Sequence, residues 1–160
     1  MATVVVIAGI VMTLAVPSLA GFIETRRISG VASQLASDLQ FARAEAVLRN
    51  QALRIGFQPD TACYMIHTGA KDQCRCDATG AAHCETGAHA VKVVAVNTPR
   101  VSLHANVDSV RFDPLHGTAT PAATLRITSA GGREVRQVVN LMGRVRSCSP
   151  QAAVSGYLAC

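Results

Sequence analysis

The stretch that decides the fold is residues 1–50, MATVVVIAGIVMTLAVPSLAGFIETRRISGVASQLASDLQFARAEAVLRN. Its first charged residue is Glu24, so residues 1–23 form an uncharged, apolar run. At a rise of about 1.5 Å per residue, a helix of this length crosses the hydrocarbon core of a bilayer. The pattern predicts one long helix that ends near Asn50, with a transmembrane half at residues 1–23 and an amphipathic half at residues 24–50.

A cleaved signal peptide is the alternative explanation of the apolar run. Such a peptide starts with basic residues, has a shorter apolar segment and ends at a small-residue cleavage site. The first basic residues here are Arg26 and Arg27, which follow the run. An uncleaved membrane anchor is therefore favoured. Gly9 and Pro17 lie inside the predicted membrane helix, and Pro17 predicts a kink because proline lacks a backbone donor and crowds the preceding turn.

Beyond the apolar run, the helix pattern becomes amphipathic. Apolar residues recur at spacings of three and four, which places them on one helical face: Ile28, Val31, Leu35, Leu39, Ala42 and Ala46. This face needs a cover, and the following β-rich segment is the candidate. The predicted fold class is therefore α+β, with a long N-terminal helix packed on a small antiparallel β domain at residues 51–147, followed by a tail at residues 148–160.

The β domain shows short apolar or alternating runs separated by turn residues. The predicted strands cover residues 52–57, 62–67, 91–96, 110–112, 118–120, 123–129 and 134–142. A turn at residues 58–60 makes the first two a hairpin, and the Gly131-Gly132 pair links the last two. Residues 68–90 are predicted to be a loop, and the chain is expected to leave the sheet at Gly143.

Six cysteines in a membrane-anchored chain indicate disulfides formed in an oxidising compartment. Cys148 and Cys160 stand apart from the rest and are expected to close the C-terminal tail. The other four are expected to staple the loop, with three possible connectivities: Cys63, Cys74, Cys76 and Cys84. Zinc is the alternative, since His83 and His89 lie nearby, but the spacing of Cys74 and Cys76 is shorter than zinc sites use. No metal site is predicted.

The positive charge is concentrated at the C-terminal end. Residues 126–160 contain five arginines and one glutamate, a net charge of +4, whereas residues 1–125 contain ten basic and nine acidic residues. A basic patch of this kind suits an anionic partner such as nucleic acid or a lipid surface, although a solvated charged face is the plain alternative.

Five segments of the chain carry a family resemblance: VVVIAGI at 4–10, LAVPS at 14–18, LQFARAEA at 39–46, VRFDP at 110–114 and VNLMGRVR at 139–146. Together they resemble type IV pilin-like proteins, specifically the FimT/GspH group of minor pilins and pseudopilins. The resemblance covers nearly the whole chain. It implies a type IV pilin-like fold, and it implies a basic leader, a cleavage site and a membrane-embedded glutamate ahead of Met1.

Members similar to FimT are DNA-uptake pilins, and their C-terminal Gly-Arg-x-Arg motif matches Gly143, Arg144 and Arg146. Arginine offers planar, multidentate donors that suit phosphate. On a strand, Arg144 and Arg146 would point to the same side about 6.5–7 Å apart. Arg133 and Arg136 are expected to widen this patch. With aromatic residues scarce, duplex DNA is favoured over single strands.

The resemblance implies a minor pilin that binds extracellular double-stranded DNA non-specifically for natural transformation. Its partners are then other pilins of a pilus or pseudopilus and the inner-membrane bilayer, with the head domain in the periplasm before assembly at the cell surface. The alternative is a structural, GspH-like pseudopilin of a type II secretion system, or a minor pilin that primes pilus assembly. No enzyme motif, cofactor site or small-molecule site is recognised.

Overall fold

The computed structural model describes residues 2–96 and 100–160, with side chains described from residue 19 onward. Its first element is helix α1, Ala2–Leu48, which confirms the prediction of one long N-terminal helix. Gly9 and Pro17, with the kink expected there, lie outside the residues whose side chains are described. Within the described part of the chain, no helix combines the length and the apolar character that a membrane crossing requires.

The amphipathic half of α1 supplies one wall of the core. Ile28, Leu35 and Leu39 are completely buried, and so are Ala42 and Ala46. These residues are those that the three-and-four spacing selects, so the predicted apolar face is confirmed. The helix ends where Asn50 takes a positive φ of 48°, a backbone conformation that asparagine tolerates better than most residues.

Two antiparallel sheets and a small hairpin follow the helix. The strands are β1 Leu53–Gln58, β2 Cys63–His67, β3 Cys74–Cys76, β4 Ala82–Cys84, β5 Ala90–Ala95, β6 Val101–Ala105, β7 Ser109–Phe112, β8 Ala119–Thr120, β9 Ala123–Ser129, β10 Glu134–Val139 and β11 Val145–Cys148. The first sheet has the order β5-β2-β1-β7-β8, the second has the order β11-β10-β9-β6, and β3 pairs with β4. Both sheets turn apolar side chains toward α1.

Most of the predicted strands are confirmed, β6 lies in a segment for which no strand is predicted, and three further differences have physical causes. The predicted strand at residues 134–142 ends at Val139, because residues 140–143 form a turn. The expectation that the chain leaves the sheet at Gly143 is wrong, since it re-enters as β11 on the edge of the second sheet. The predicted loop at residues 68–90 contains β3 and β4, which a sequence pattern poor in large apolar residues did not indicate.

The disulfides explain how this small hairpin is held. Cys148 bonds to Cys160, as expected, and the remaining pairs are Cys63–Cys76 and Cys74–Cys84. The first of these ties β3 to strand β2, and the second links β3 to β4. Together with Met65 they form a second, smaller core on the side of the first sheet that faces away from α1.

Two buried polar contacts fix α1 against the sheets. The Asp38 carboxylate, 2% exposed, accepts hydrogen bonds from the Tyr64 hydroxyl at 2.8 Å and from the Lys92 ammonium at 2.6 Å. The Gln137 side-chain amide, on β10, donates to the carbonyl of Ala32 at 2.9 Å. Because a buried polar group is costly without its partner, these contacts favour one alignment of the helix on both sheets.

Candidate nucleic-acid interface

Strand β10 ends in a turn at each end, and the two turns carry three of the predicted DNA-binding residues between them. The proximal turn, residues 130–133, joins β9 to β10 and lies against the early part of α1. The distal turn, residues 140–144, joins β10 to β11 and lies near its late part. Arg133 is in the proximal turn, whereas Gly143 and Arg144 are in the distal turn.

The distal turn is built around Gly143 and Asn140. Gly143 has a φ of +73°, and its N–H donates to the Asn140 carbonyl at 2.9 Å. The Asn140 side-chain oxygen accepts the N–H of Arg144 at 2.9 Å. A Cβ on residue 143 would lie 2.3 Å from the carbonyl oxygen of Gly117, so this close approach needs glycine. The predicted bend at Gly143 is confirmed.

Arg144 and Arg146 flank the start of β11 rather than both lying on it. The strand begins at Val145, so the expectation that both arginines stand on one strand is wrong for Arg144. Both side chains are exposed. Within residues 2–96 and 100–160, neither guanidinium group has a hydrogen bond or an ion pair. Two charges close together in the chain are thus available to an external anion.

A third arginine, which the sequence pattern did not select, lies beside the distal turn. Arg43 of α1 donates from Nε to the Gly117 carbonyl at 2.8 Å. Together with Arg144 it lines a surface groove between α1 and the loop that contains His116. The contact joins residues 74 positions apart, so no local signal in the sequence indicates it. It adds positive charge next to Arg144.

Arg136 is already paired within the protein. It lies on the outer face of β10, directly across from Arg126 on β9. The Glu134 carboxylate forms an ion pair with Arg136 and lies 3.9 Å from the Nε of Arg126. Arg136 is therefore a weaker candidate for an external anion than the sequence alone suggests.

Arg133 is occupied by the helix. Its Nη1 donates to the Thr25 hydroxyl at 2.6 Å and to the Gly21 carbonyl, and it lies 3.7 Å from the Glu24 carboxylate. The same carboxylate accepts the Gly131 N–H at 2.6 Å. Hydrogen bonds from the Ser129 hydroxyl and the Gly131 N–H lower the pKa of Glu24 below its ordinary value. Arg133 and Glu24 thus form a clasp between α1 and the proximal turn.

The tail holds the end of β11 that lies beside the start of β10. Cys148, the last residue of β11, pairs in register with Arg136 and forms the Cys148–Cys160 disulfide. Next to it, the Ser149 N–H donates to the Leu158 carbonyl at 2.9 Å, and the Ser149 hydroxyl donates to the Glu134 carbonyl at 2.7 Å. Val154 is completely buried. The tail therefore fixes β11 at the end near the proximal turn, and Arg146 lies on the part of the strand that leads back to the distal turn.

Comparisons with known proteins agree on the architecture. The family model of the type II transport protein GspH matches residues 31–143. The structure is similar to that of the type IV minor pilin FimU of Pseudomonas aeruginosa, with 20% sequence identity and a TM-score of 0.58 over 77% of this chain and 97% of that chain. It is also similar to the minor pseudopilin EpsH from the Type 2 Secretion System of Vibrio cholerae, with 15% identity and a TM-score of 0.57 over 78% of this chain and 98% of that chain.

A search of curated proteins finds no match. The family model covers well over half of the sequence, and the solved structures share the long helix packed on antiparallel sheets. The chain therefore belongs to the GspH family, and it is a minor pilin or pseudopilin of the FimT/GspH type with a type IV pilin-like fold.

Proposed function

We propose that this chain is a minor type IV pilin that binds extracellular duplex DNA through Arg144 and Arg146 during natural transformation. The observation that carries the proposal is the state of these two side chains. Their guanidinium groups are exposed and have no hydrogen-bond or ion-pair partner within the described residues, and they lie beside a turn that Gly143 and Asn140 hold in place.

The expected binding is led by phosphate contacts and is independent of base sequence. Each guanidinium group offers donors in a fork that matches phosphate oxygens. The chain contains no tryptophan and 4% aromatic residues, so it offers few surfaces on which unpaired bases stack. Duplex DNA is the favoured partner. With about two contacts, we expect an affinity near the micromolar range that falls steeply with salt.

We infer that the helix carries this interface into a filament. In the proposal, residues 1–23 anchor the protein in the inner membrane with the head in the periplasm, and α1 then packs among other pilins. Leu19, Phe22 and Ile23 are about half exposed, as expected for residues that contact lipid or neighbouring helices. Retraction of the pilus would draw captured DNA toward the cell.

A purely structural role is the second candidate, and one observation favours it. Apolar side chains are exposed around the distal end of the head: Val47, Leu48, Leu115, Leu141 and Met142. An exposed apolar cluster of this kind is typical of protein contacts. In this alternative the chain is a pseudopilin of a type II secretion system or a minor pilin that primes assembly, and the cluster contacts a neighbouring subunit.

The test is duplex-DNA binding by the full oxidised chain in an uncharged detergent, measured by fluorescence anisotropy across a salt series. Arg144→Gln/Arg146→Gln should abolish most binding and lower the slope of log affinity against log salt by about 1.8, because each phosphate contact contributes about 0.9. The matched control, Arg75→Gln/Arg100→Gln, removes the same charge from two other exposed arginines and should leave most binding intact. Equal loss in both variants would contradict a local site.

In cells, the same double variant separates the two candidate functions. We expect transformation to fall while pili still form, because neither guanidinium group has a hydrogen bond or an ion pair with the described residues. Loss of pili in the double variant would instead indicate that the arginines contact a neighbouring subunit.

A further inference from the structure

A row of basic side chains crosses the first sheet on the face that points away from α1. Arg54 on β1 pairs in register with Arg111 on β7 and, on its other side, with His67 on β2. Residues directly opposite each other on antiparallel strands share a face and lie within about 5.5 Å at Cβ. Like charges in this arrangement repel each other, so the Arg54–Arg111 pair calls for a counter-charge.

The second sheet contains the same pairing of two arginines, together with a carboxylate that balances their charge. There Arg126 is opposite Arg136, and the Glu134 carboxylate lies against both guanidinium groups. In the first sheet, no carboxylate of residues 2–96 or 100–160 bonds to Arg54 or Arg111. Two acidic residues near the row make other contacts. Asp108 forms an ion pair with Lys71 at 2.7 Å, and Asp72 attracts Arg54 electrostatically but forms no hydrogen bond with it.

Two buried nitrogen atoms in this row lack a hydrogen-bond partner among the residues that the structure describes. They are the Nε of Arg54 and the Nδ1 of His67. His67 is 1% exposed, so solvent does not reach it freely. The one partner that Arg54 does have in the row is the Ser109 hydroxyl, which accepts from Nη1 at 2.8 Å. Buried polar groups are normally paired, and unpaired nitrogen atoms beside two like charges offer contacts that suit an anion.

The electrostatics of the row agree with this interpretation. Burial, and then repulsion by Arg111, lowers the pKa of Arg54, while burial and Arg54 lower the pKa of His67. An anion placed between these groups would oppose both effects. Two guanidinium groups, a hydroxyl and an imidazole nitrogen are the donors that a tetrahedral oxyanion accepts.

We propose that Arg54 and Arg111, with Ser109 and His67 behind them, form a binding site for a single phosphate oxyanion. The site is separate from the distal turn and does not depend on the function proposed for Arg144 and Arg146. Its phosphate is either free inorganic phosphate or a phosphodiester group of a nucleic acid. The chemistry is the same in both cases.

The test is a titration of the full oxidised chain with inorganic phosphate in an uncharged detergent at low ionic strength, followed by NMR signals of the Arg54 Nε–H and the His67 ring. We expect saturable shifts of both signals. Arg111→Gln should weaken binding at least five-fold, and because Arg111 is exposed this variant should keep the fold. Arg75→Gln, on β3, is the matched control and should bind as the wild type does.

Two results would overturn the site. One is the absence of saturable shifts at Arg54 and His67 in folded protein. The other is an equal loss of phosphate affinity in Arg111→Gln and Arg75→Gln, which would indicate general charge screening.

A second titration, with duplex DNA and the Arg144→Gln/Arg146→Gln chain, identifies the source of the phosphate. If DNA produces the same two shifts there, the site takes a phosphodiester; if only inorganic phosphate does, it takes the free ion. Either source supports the site, and neither result depends on DNA binding at the distal turn.

Discussion

The two turns of β10 both end in Gly-Arg and use their arginines in different ways. In the proximal turn, Arg133 is bound by Glu24 and Thr25 of α1. In the distal turn, the backbone is fixed by Asn140 while the guanidinium group of Arg144 has no partner among the described residues. The difference shows that a basic sequence marks a possible site, and that the acidic residues nearby determine whether the charge remains available.

The position of each turn along α1 explains why Arg133 is bound to the helix and Arg144 is not. Thr25 and Arg43 mark the parts of the helix that the proximal and distal turns approach, and they are about 27 Å apart along its axis at 1.5 Å per residue. The proximal contact attaches the head to the helix just beyond the apolar run. The distal turn lies at the other end of the sheet, where an external partner has access.

The largest effect should come from the tail, which fixes the end of β11 near the proximal turn. Cys148→Ala/Cys160→Ala removes a disulfide that joins residues 12 apart, and loops of that size contribute about 2–4 kcal/mol. We expect a corresponding fall in the free energy of unfolding, measured by urea denaturation. Hydrogen exchange should increase at the Cys148 end of β11 and in the proximal turn more than in the distal turn, because the tail packs at the proximal end of the sheet. Equal loosening of both turns would show that they are not independently held.

A matched pair of glycine substitutions should sharpen the comparison next. Gly132 and Gly143 both have positive φ, at +80° and +73°. A Cβ at position 132 meets nothing within 4 Å, whereas one at position 143 meets the Gly117 carbonyl. Gly132→Ala should cost about 1 kcal/mol for its backbone strain alone. Gly143→Ala should cost about 2–3 kcal/mol because a steric clash is added to the same strain.

Urea denaturation of the two variants measures this difference directly. DNA binding adds a second readout, because Gly143→Ala should also displace Arg144 and weaken binding, whereas Gly132→Ala should leave it unchanged. Equal destabilisation by the two substitutions would contradict the close packing of the distal turn against Gly117.

Much of the fold follows from sequence periodicity, and the strand at residues 123–129 matches β9 in full. The apolar face of α1 was also predictable, since burial follows helical spacing. The strands that were missed are β3, β4, β6 and β11. Strands β3 and β4 depend on disulfides rather than on apolar alternation, and β11 is a short edge strand that two exposed or half-exposed polar residues interrupt.

The candidate site was predictable only in part. Gly143, Arg144 and Arg146 follow from a motif in one stretch of chain. The occupation of Arg133 depends on Gly21, which is 112 residues away, and the row of Arg54, Arg111 and His67 depends on the register of three strands. Sequence spacing carries no information about such contacts, because they are fixed by the packing of distant elements.

A smaller effect should separate the roles of the two arginines. Arg133→Gln removes hydrogen bonds to α1, and at a partly exposed site we expect a loss of about 1 kcal/mol in the free energy of unfolding, with little change in DNA affinity. Arg144→Gln should do the opposite, with stability within about 0.5 kcal/mol of the wild type and weaker DNA binding. Thermal unfolding measures the stability of the two variants, and fluorescence anisotropy measures their DNA affinity. If both variants lose stability and DNA affinity alike, the two turns are coupled.

The smallest expected effect is the response of the two turns to acid. The Gly131 N–H donates to the Glu24 carboxylate, whereas the Arg144 N–H donates to the side-chain amide of Asn140. Because the pKa of Glu24 is lowered in the folded protein, its contribution to stability is present above its ordinary pKa near 4.5 and is lost as the pH falls through the lowered value. Amide exchange at Gly131 should therefore accelerate in acid, after correction for the intrinsic rate.

The exchange of the Arg144 amide should change much less over the same range, since an amide acceptor does not titrate. Glu24→Gln is the control, because it should remove the pH response at Gly131 and leave that of Arg144 as it was. A pH response at Gly131 that survives Glu24→Gln would contradict the clasp. If it disappears, the acid response of the proximal turn comes from the Glu24 carboxylate, whereas no carboxylate among the described residues bonds to Arg144.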